Sequence, residues 1–383
     1  MISVREINDI EELAGERPTW HSLHAQTEGA SFFQTLQWLE IYWKHYGAGQ
    51  RLRTLFVSSD GQPVGILPLV VRREKTKVGR LRVLTYPLHD WGSFYGPLGP
   101  NPDATLTAGM QHIRQSRRDW DIVELRWIGT NFEQVEQAMQ QVGFQASGGV
   151  RGSTAFIDLT GTWDDYLAGR TSKWRNNTRR HKRRIAQRGE VGYERYRPRG
   201  ESYGESDPRW DLYDACEQIA GKSWQGSSTT GTTLSHASVK PFLRQCHAAA
   251  ARLGMLDLNY LSLDGKPLAF VYNYHCRGSV YGLRVGYDAA LSRDGVGNLA
   301  YVYTIEDSYK RGDHTYDMGP GSLDCKRQLN TKVVDILKCS HFHPTAPRAQ
   351  LVRLKRWVQR RIADESQLAS AKKPSSKSCL HAA

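Results

Sequence analysis

Long apolar runs are absent from this sequence of 383 residues: none approaches the ~18 needed to cross a bilayer as a helix. With a mean hydropathy of −0.57, that excludes a helical membrane protein, while 39% hydrophobic residues leave ample material for a core. The opening residues lack the charged and apolar regions of a signal peptide. Cysteine is scarce and scattered. Cys216, Cys246, Cys276, Cys325, Cys339 and Cys379 form no CxxC pair and no framework spacing, so free thiols in a reducing cytoplasm are expected. Also missing are GxSxG, the Walker A loop and HExxH, the signatures of a serine-hydrolase elbow, a P-loop nucleotide site and a zincin. One further absence is local. Arg170, Lys173, Arg175, Arg179, Arg180, Lys182, Arg183, Arg184 and Arg188 are nine positive charges with no acid among them. Taking those nine from the formal net charge of +13 leaves +4 for the remainder, so the basicity is largely local.

What is present is organised around residues 258–326. Residues 258–263 are an apolar, β-prone run, and Asp264-Gly265 is the two-residue signal of a type I′ hairpin turn. Pro267 opens the returning strand, the position a strand tolerates for proline. A third strand, 279–287, is expected to place Val280, Gly282 and Arg284 on one face and Tyr281, Leu283, Val285 and Tyr287 on the other. Arg293-Asp294-Gly295-Val296-Gly297-Asn298 then leads into a helical run with Leu299, Val302, Ile305 and Tyr309 at helical spacing, and 315–318 returns as a strand. A glycine-flanked loop feeding a helix N-terminus gathers backbone N–H groups and the positive end of the helix dipole, which suits an anion such as phosphate.

The same plan is fainter in the first half. Asp60-Gly61-Gln62-Pro63 matches Asp264-Gly265-Lys266-Pro267, and each hairpin is followed by a strand, a helical segment and a strand. A duplicated unit is therefore expected, with domains at 1–150 and 151–345, a basic helix at 346–364 and a tail at 365–383 of disordered composition. Phe32, Phe33, Trp38, Tyr42, Trp43 and Tyr46 crowd a helix at 31–47, a density expected of core packing. Residues 86–100, rich in Pro, Gly and aromatics, form an irregular segment suited to lining a cleft. Residues 163–188 are predicted as one helix whose buried stripe is Trp163, Leu167, Trp174, Thr178, His181 and Ile185. Its basic faces suit an anionic ligand: a polyphosphate, a nucleotide-sugar, tRNA or an acidic partner. The loop 226–233 (GSSTTGTT) has the composition of a cover over a site. Cys339, His341 and His343 share a strand face but match no standard metal spacing, so no metal is expected. Cys325, beside Lys326 and Arg327, is a weak thiolate candidate.

Several words in this sequence carry a resemblance. They are Phe33-x-x-x-x-Trp38, Lys173-x-Arg175-x-Asn177-x-x-Arg180, Ser223-Trp224, Leu263-Asp264-Gly265-Lys266-Pro267-Leu268-Ala269, Gly286-Tyr287-Asp288 and Asp317-x-Gly319-x-Gly321-x-x-x-Cys325-Lys326. With the hairpin, glycine loop and helix they resemble GNAT acyltransferases of the CelD type, associated with cellulose biosynthesis and related to the FemAB/FemX aminoacyltransferases. The resemblance implies a mixed α/β (α+β) fold of tandem GNAT-like domains, each a mostly antiparallel twisted sheet flanked by helices, the N-terminal one degenerate. It implies acyl transfer, with acetyl the expected group, from acetyl-CoA or another acyl-CoA cosubstrate to an amine or hydroxyl acceptor such as a polysaccharide or cell-envelope precursor.

On this reading the donor's phosphates meet Arg293, Gly295, Gly297 and Asn298, and backbone N–H groups at Leu283 and Val285 polarise the acyl carbonyl. Asp288 or Glu306 acts as base, and Tyr287 or Tyr303 protonates the leaving thiolate. Lys326 stabilises developing negative charge or a substrate phosphate. Lys173, Arg175, Arg179, Arg180 and Trp224 bind an anionic substrate. The alternatives are a FemX-like aminoacyltransferase drawing on charged tRNA and a non-catalytic RNA- or polymer-binding scaffold. Two departures stand out: Arg293-x-Gly295-x-Gly297 is one residue shorter than the usual Q/R-x-x-G-x-G loop, and Cys325 stands where a tyrosine often precedes the lysine.

Overall fold

The computed structural model describes residues 1–223, 226 and 233–371. Its first half runs β1 (Ile2–Ile7), α1 (Ile10–Ala14), α2 (Arg17–Gln26), α3 (Leu36–Tyr46), β2 (Arg51–Ser59), β3 (Gln62–Thr76), β4 (Gly79–Thr85), α4 (Pro102–Gln115), β5 (Ile122–Ile128), α5 (Phe132–Gln141) and β6 (Ser147–Asp158). After α6 (Trp163–Ala168) and α7 (Ser172–Ala186) the pattern repeats. The second half is β7 (Val191–Tyr196), α8 (Trp210–Lys222), α9 (Lys240–Arg252), β8 (Leu256–Leu263), β9 (Lys266–Cys276), β10 (Ser279–Tyr287), α10 (Val296–Lys310), β11 (Thr315–Asp317) and β12 (Lys332–Phe342). α11 (Pro347–Ala371) ends the described chain.

Among the described residues all twelve strands join one sheet, in the order β1-β2-β3-β4-β5-β12-β6-β11-β10-β9-β8-β7. The order is a palindrome about its centre, and only β4–β5 and β10–β11 are parallel. This is the duplicated, mostly antiparallel plan expected from the two hairpins. Both hairpin turns hold their two central residues at positive φ, 49° and 79° at Asp60-Gly61 and 48° and 72° at Asp264-Gly265, as a type I′ turn requires. The two halves also exchange their last strands. β6 lies between β11 and β12, and β12 pairs with β5 on its other side.

The aromatic segment is core. Thr35 interrupts it, ending a 3-10 turn (Phe32–Gln34) and capping α3 through a hydroxyl that accepts from Trp38 N. The rings of Phe32 and Phe33 lie 4.4 and 5.5 Å from Tyr274, and Trp38 lies 5.3 Å from Phe242. These edge and tilted contacts join the halves across the sheet.

Three expectations are corrected. Residues 163–188 form two helices, because α6 ends at Gly169 and Thr171 caps α7 by accepting from Trp174 N. The third strand of the second hairpin does not alternate throughout. A bulge between Gly282 and Arg284 adds one residue, so Val280 and Val285 share one core while Tyr281 and Leu283 face the other. The C-terminal helix continues past 364 to Ala371. Of the loop 226–233, residues 227–232 lie outside the described residues, as do Trp224 and the tail beyond 371.

Candidate active site

β10 and β11 run parallel for three residue pairs only, Ser279↔Thr315, Val280↔Tyr316 and Tyr281↔Asp317. Beyond them β11 stops, whereas β10 continues to Tyr287. At the fork, Gly282 permits the closest approach: a Cβ there would meet Met318 and Asp317 backbone atoms at 2.9–3.0 Å. Gly319 turns the chain away at φ +77°, where a side chain would strike the Gly282 carbonyl oxygen.

The fork holds buried charge. The Asp317 carboxylate accepts from Thr154 Oγ1 (2.7 Å) and from Gly319 N (2.9 Å). Burial nevertheless holds its carboxyl above the usual carboxylate range. Thr154 Oγ1 also lies 3.0 Å from Gly319 O, so strand, acid and turn are one unit. Lys326, only 7% exposed, donates to Gly319 O (2.6 Å) and Pro320 O (3.3 Å). Burial pulls its ammonium below the ordinary lysine range, with Arg284 adding to that and Asp317 opposing it. The Arg284 guanidinium lies over Trp91 at 5.4 Å, and burial draws it down to about 10. Trp91 belongs to the 86–100 segment of the first half, so that segment does line the junction. Ser93 of the same segment stands beside Asp317. Cations in such a poorly hydrated place interact strongly with any negative charge that forms there.

From the fork, β10 leads past Leu283, Val285 and Tyr287 to a 3-10 turn (Ala289–Asp294) and to Gly295, which caps α10 at φ +69°. The His181 ring lies where a Cβ on Gly295 would be, and the Tyr287 ring does the same at Gly297. Asn298 completes the first turn of α10, and Arg293 is exposed beside it. The neighbouring Asp294 is buried and paired with Arg184 of α7 and with Arg188 just beyond it, at 3.0 Å each.

The other expected residues lie elsewhere. Asp288 caps the 3-10 turn, accepting from Ala290 N at 2.9 Å. Glu306 faces α7; burial would raise its carboxyl, but Lys310 of its own helix (2.9 Å) and Lys182 of α7 (3.4 Å) hold it below the usual range. Tyr303 stacks on Tyr193 of the edge strand β7 at 5.4 Å. Three strand spacings, about 14 Å, separate β7 from β10, so the fork does not include this pair. Cys325 is exposed. His341 stacks on Phe144 at 4.7 Å and accepts from Gln145 N, and no cluster among the described residues is composed to hold a metal.

The basic run is less unrelieved than its sequence suggests. Arg175 donates to the carbonyls of Leu167, Ala168 and Arg170, closing the end of α6, and Arg170 donates to Leu329 O and Asn330 O. Lys173, Arg179, Arg180 and Arg183 remain on the exposed face. A second basic surface, invisible as a run, lies in the first half. A basin of about 1190 Å³ is lined by seven arginines and Lys75 against Glu74, Asp90 and Asp119. Sequence reasoning passed over it, and it also left Asp317, Arg284 and Thr154 out of the site. A lone Arg inside an otherwise apolar strand was the available signal for Arg284.

Residues 172–327 match the family model described as an acetyltransferase (GNAT) domain. The similarity to solved structures extends beyond the matched segment, over 88–91% of the chain. FemX superposes with a TM-score of 0.60 at 12% identity, covering 91% of this chain and 99% of FemX. The C-terminal domain of a putative lysylphosphatidylglycerol synthetase from Agrobacterium fabrum gives 0.55 at 13%, covering 88% and 95%. A protein of unknown function from Bacteroides thetaiotaomicron gives 0.51 at 11%, covering 90% and 100%. At such identities the likeness is one of fold. A comparison with curated proteins gives no match. The matched segment spans the fork, the α10 loop and Lys326, and no helix among the described residues is long and apolar enough to cross a membrane.

Proposed function

We propose that this protein is an acyltransferase that moves an acyl group from a CoA thioester to an amine or hydroxyl on an anionic acceptor. The observation that carries the reading is the buried Lys326 at the fork between β10 and β11. In this mechanism the thioester arm follows β10 from Leu283 to Tyr287, its phosphates meet the first turn of α10 at Gly295, Gly297 and Asn298, and its carbonyl reaches the fork. The acceptor's nitrogen or oxygen attacks that carbonyl, and the carbon–sulfur bond breaks. The acceptor's proton ends on the departing sulfur; Tyr287, packed against Gly297, lies at the phosphate end of this path. The oxyanion formed on the way is stabilised by Lys326 and Arg284. Asp317 is a positioning residue: it fixes the Gly319 turn whose carbonyl aims the lysine. The arginine-lined basin meets the acceptor's negative charge. CelD-type chemistry on a polysaccharide or envelope precursor fits such an acceptor.

Thermal melting with acetyl-CoA, longer acyl-CoAs, free CoA and tRNA tests the donor. A ligand present at about 100 times its Kd stabilises the fold by ~2.7 kcal/mol. A shift with acyl-CoA is expected, and silence with every CoA overturns the reading. One observation favours a second reading, transfer from charged tRNA as in FemX-type enzymes: the four cations exposed along α7, which suit a phosphate backbone. A shift with tRNA alone, abolished by salt, would select it.

A further inference from the structure

α11 is docked on the sheet by one side of its first turns only. Ala346 and Ala349 are buried with Leu81, Val83, Ile122 and Phe342, and Val352 packs against them. Arg356 continues that side, donating to the buried Glu124 and lying over the Phe342 ring at 5.3 Å. At 100° per residue, Leu351, Leu354 and Val358 project from the opposite side, with Trp357 and Ile362 at its margins. These five are 52, 57, 40, 53 and 59% exposed in that order, and they make up half of the ten large apolar residues that the described surface leaves open. A helix docked through one face would ordinarily turn charge to water on the other; this one turns leucine, valine and tryptophan.

The surroundings of the stripe are cationic. Lys355 and Arg361 flank it, and the Arg361 guanidinium lies over Trp357 at 4.9 Å. Arg348 and Arg353 are exposed on the same helix, and no acid occurs between Pro347 and Ile362. Where α11 meets β4, Arg73, Arg80, Arg82 and Arg348 line a hollow of about 440 Å³ with Asp121 as its one acid, so the basic collar continues onto the body. We propose that α11 is a docking helix for an anionic lipid bilayer, lying in the interface with its apolar stripe among the acyl chains and its lysine and arginines at the headgroups. From Leu351 to Ile362 the stripe is about 16 Å long, enough to lie in an interface and too short to cross one. Long basic side chains beside such a stripe keep their stems in the apolar layer and their charge at its surface. A second copy of this chain fits worse. A symmetric pair of these helices would bring the cations of residues 348–361 against one another, relieved on each only by Asp364 and Glu365 past the end of the stripe.

Sedimentation of the full chain with vesicles tests this without any assay of acyl transfer. The chain should pellet with phosphatidylcholine vesicles containing phosphatidylglycerol, pellet poorly with phosphatidylcholine alone, and release as salt rises. Leu354→Glu/Val358→Glu should weaken partitioning roughly tenfold or more. Lys355→Glu/Arg361→Glu should remove the preference for the anionic lipid. All four positions are exposed, so melting temperatures should hold. Binding that is unaffected by either pair overturns the proposal. So does an absence of vesicle binding, or a dimer in light scattering that the Leu354→Glu/Val358→Glu pair dissociates.

Discussion

The two halves of this sheet carry the same fork and fill it differently. In the second half β10 runs six residues past its last parallel pair, and the fork holds the buried Asp317, Lys326 and Arg284. In the first half the parallel pairing is Val83↔Ile122 and Leu84↔Val123, and β4 ends one residue later, at Thr85. The chain itself takes the vacated space. Tyr86 and Tyr95 are buried with their rings 5.1 Å apart, and Tyr95 N donates to Trp127 O. The same segment then reaches the other fork through Trp91 and Ser93. One copy has become apolar packing and supplies a wall; the other keeps charge out of water, a costly arrangement that a packed core would not select.

That contrast predicts which substitutions unfold the protein and which silence it. Tyr95→Ala, in the filled fork, should cost about 3–5 kcal/mol by leaving a cavity, visible as a lower urea midpoint, with kcat per folded molecule unchanged. A normal midpoint would mean that the first fork is not packed as described. Lys326→Ala should do the reverse: a loss of roughly a hundredfold in kcat for acyl transfer, with a melting temperature close to the parent's. Full activity on an identified substrate would end the role given to Lys326. Gly295→Ala forces a Cβ into the His181 ring at positive φ and should cost about 1–2 kcal/mol, together with weaker acyl-CoA binding in calorimetry.

Acid should act mainly on packing. Burial holds His89, His247 and His341 at about 4, below their usual 6.5. The unfolded chain therefore takes up their protons first, and stability is full above pH 6.5 and declines as pH falls towards 4. Glu124, lowered to about 2 by Arg126 and Arg356 against the opposing effect of burial, extends the decline below pH 4.5. A flat denaturation midpoint from pH 7 to 5 would contradict the histidine assignment. The smallest effect belongs to Tyr95→Phe. The Tyr95 hydroxyl is buried without a hydrogen-bond partner among the described residues, so removing it should be neutral or stabilise by up to about 1 kcal/mol.

The duplication was legible because its signal is local: two Asp-Gly turns, each flanked by strands of the right length. The aromatic core of α3 and the helical run of α10 through Leu299, Val302, Ile305 and Tyr309 were legible from periodicity. The bulge at Leu283 was not, since an extra residue in one strand is defined only by the strand opposite. Nor was the fate of the basic run. Asp294 and Glu306, which neutralise Arg184, Arg188 and Lys182, lie more than a hundred positions away in the chain.

The candidate site divides along the same line. The proposed roles of Lys326 and of the Gly295 to Asn298 loop started from the chain: the lysine from a family resemblance, the loop from a glycine before a helix, a signal that depends only on near neighbours. Asp288, Glu306 and Tyr303 were named by residue type, and the structure gives them a cap, an ion pair and a stack. Asp317, Arg284, Thr154 and Trp91 acquire a common purpose only through the parallel pairing of β10 with β11 and the insertion of β6 beside it. The sequence by itself determined the elements, the turns and the repeat, all of which depend on neighbours within a few residues. The tertiary structure decided which fork holds buried charge, because burial of a charge is a property of everything packed around it.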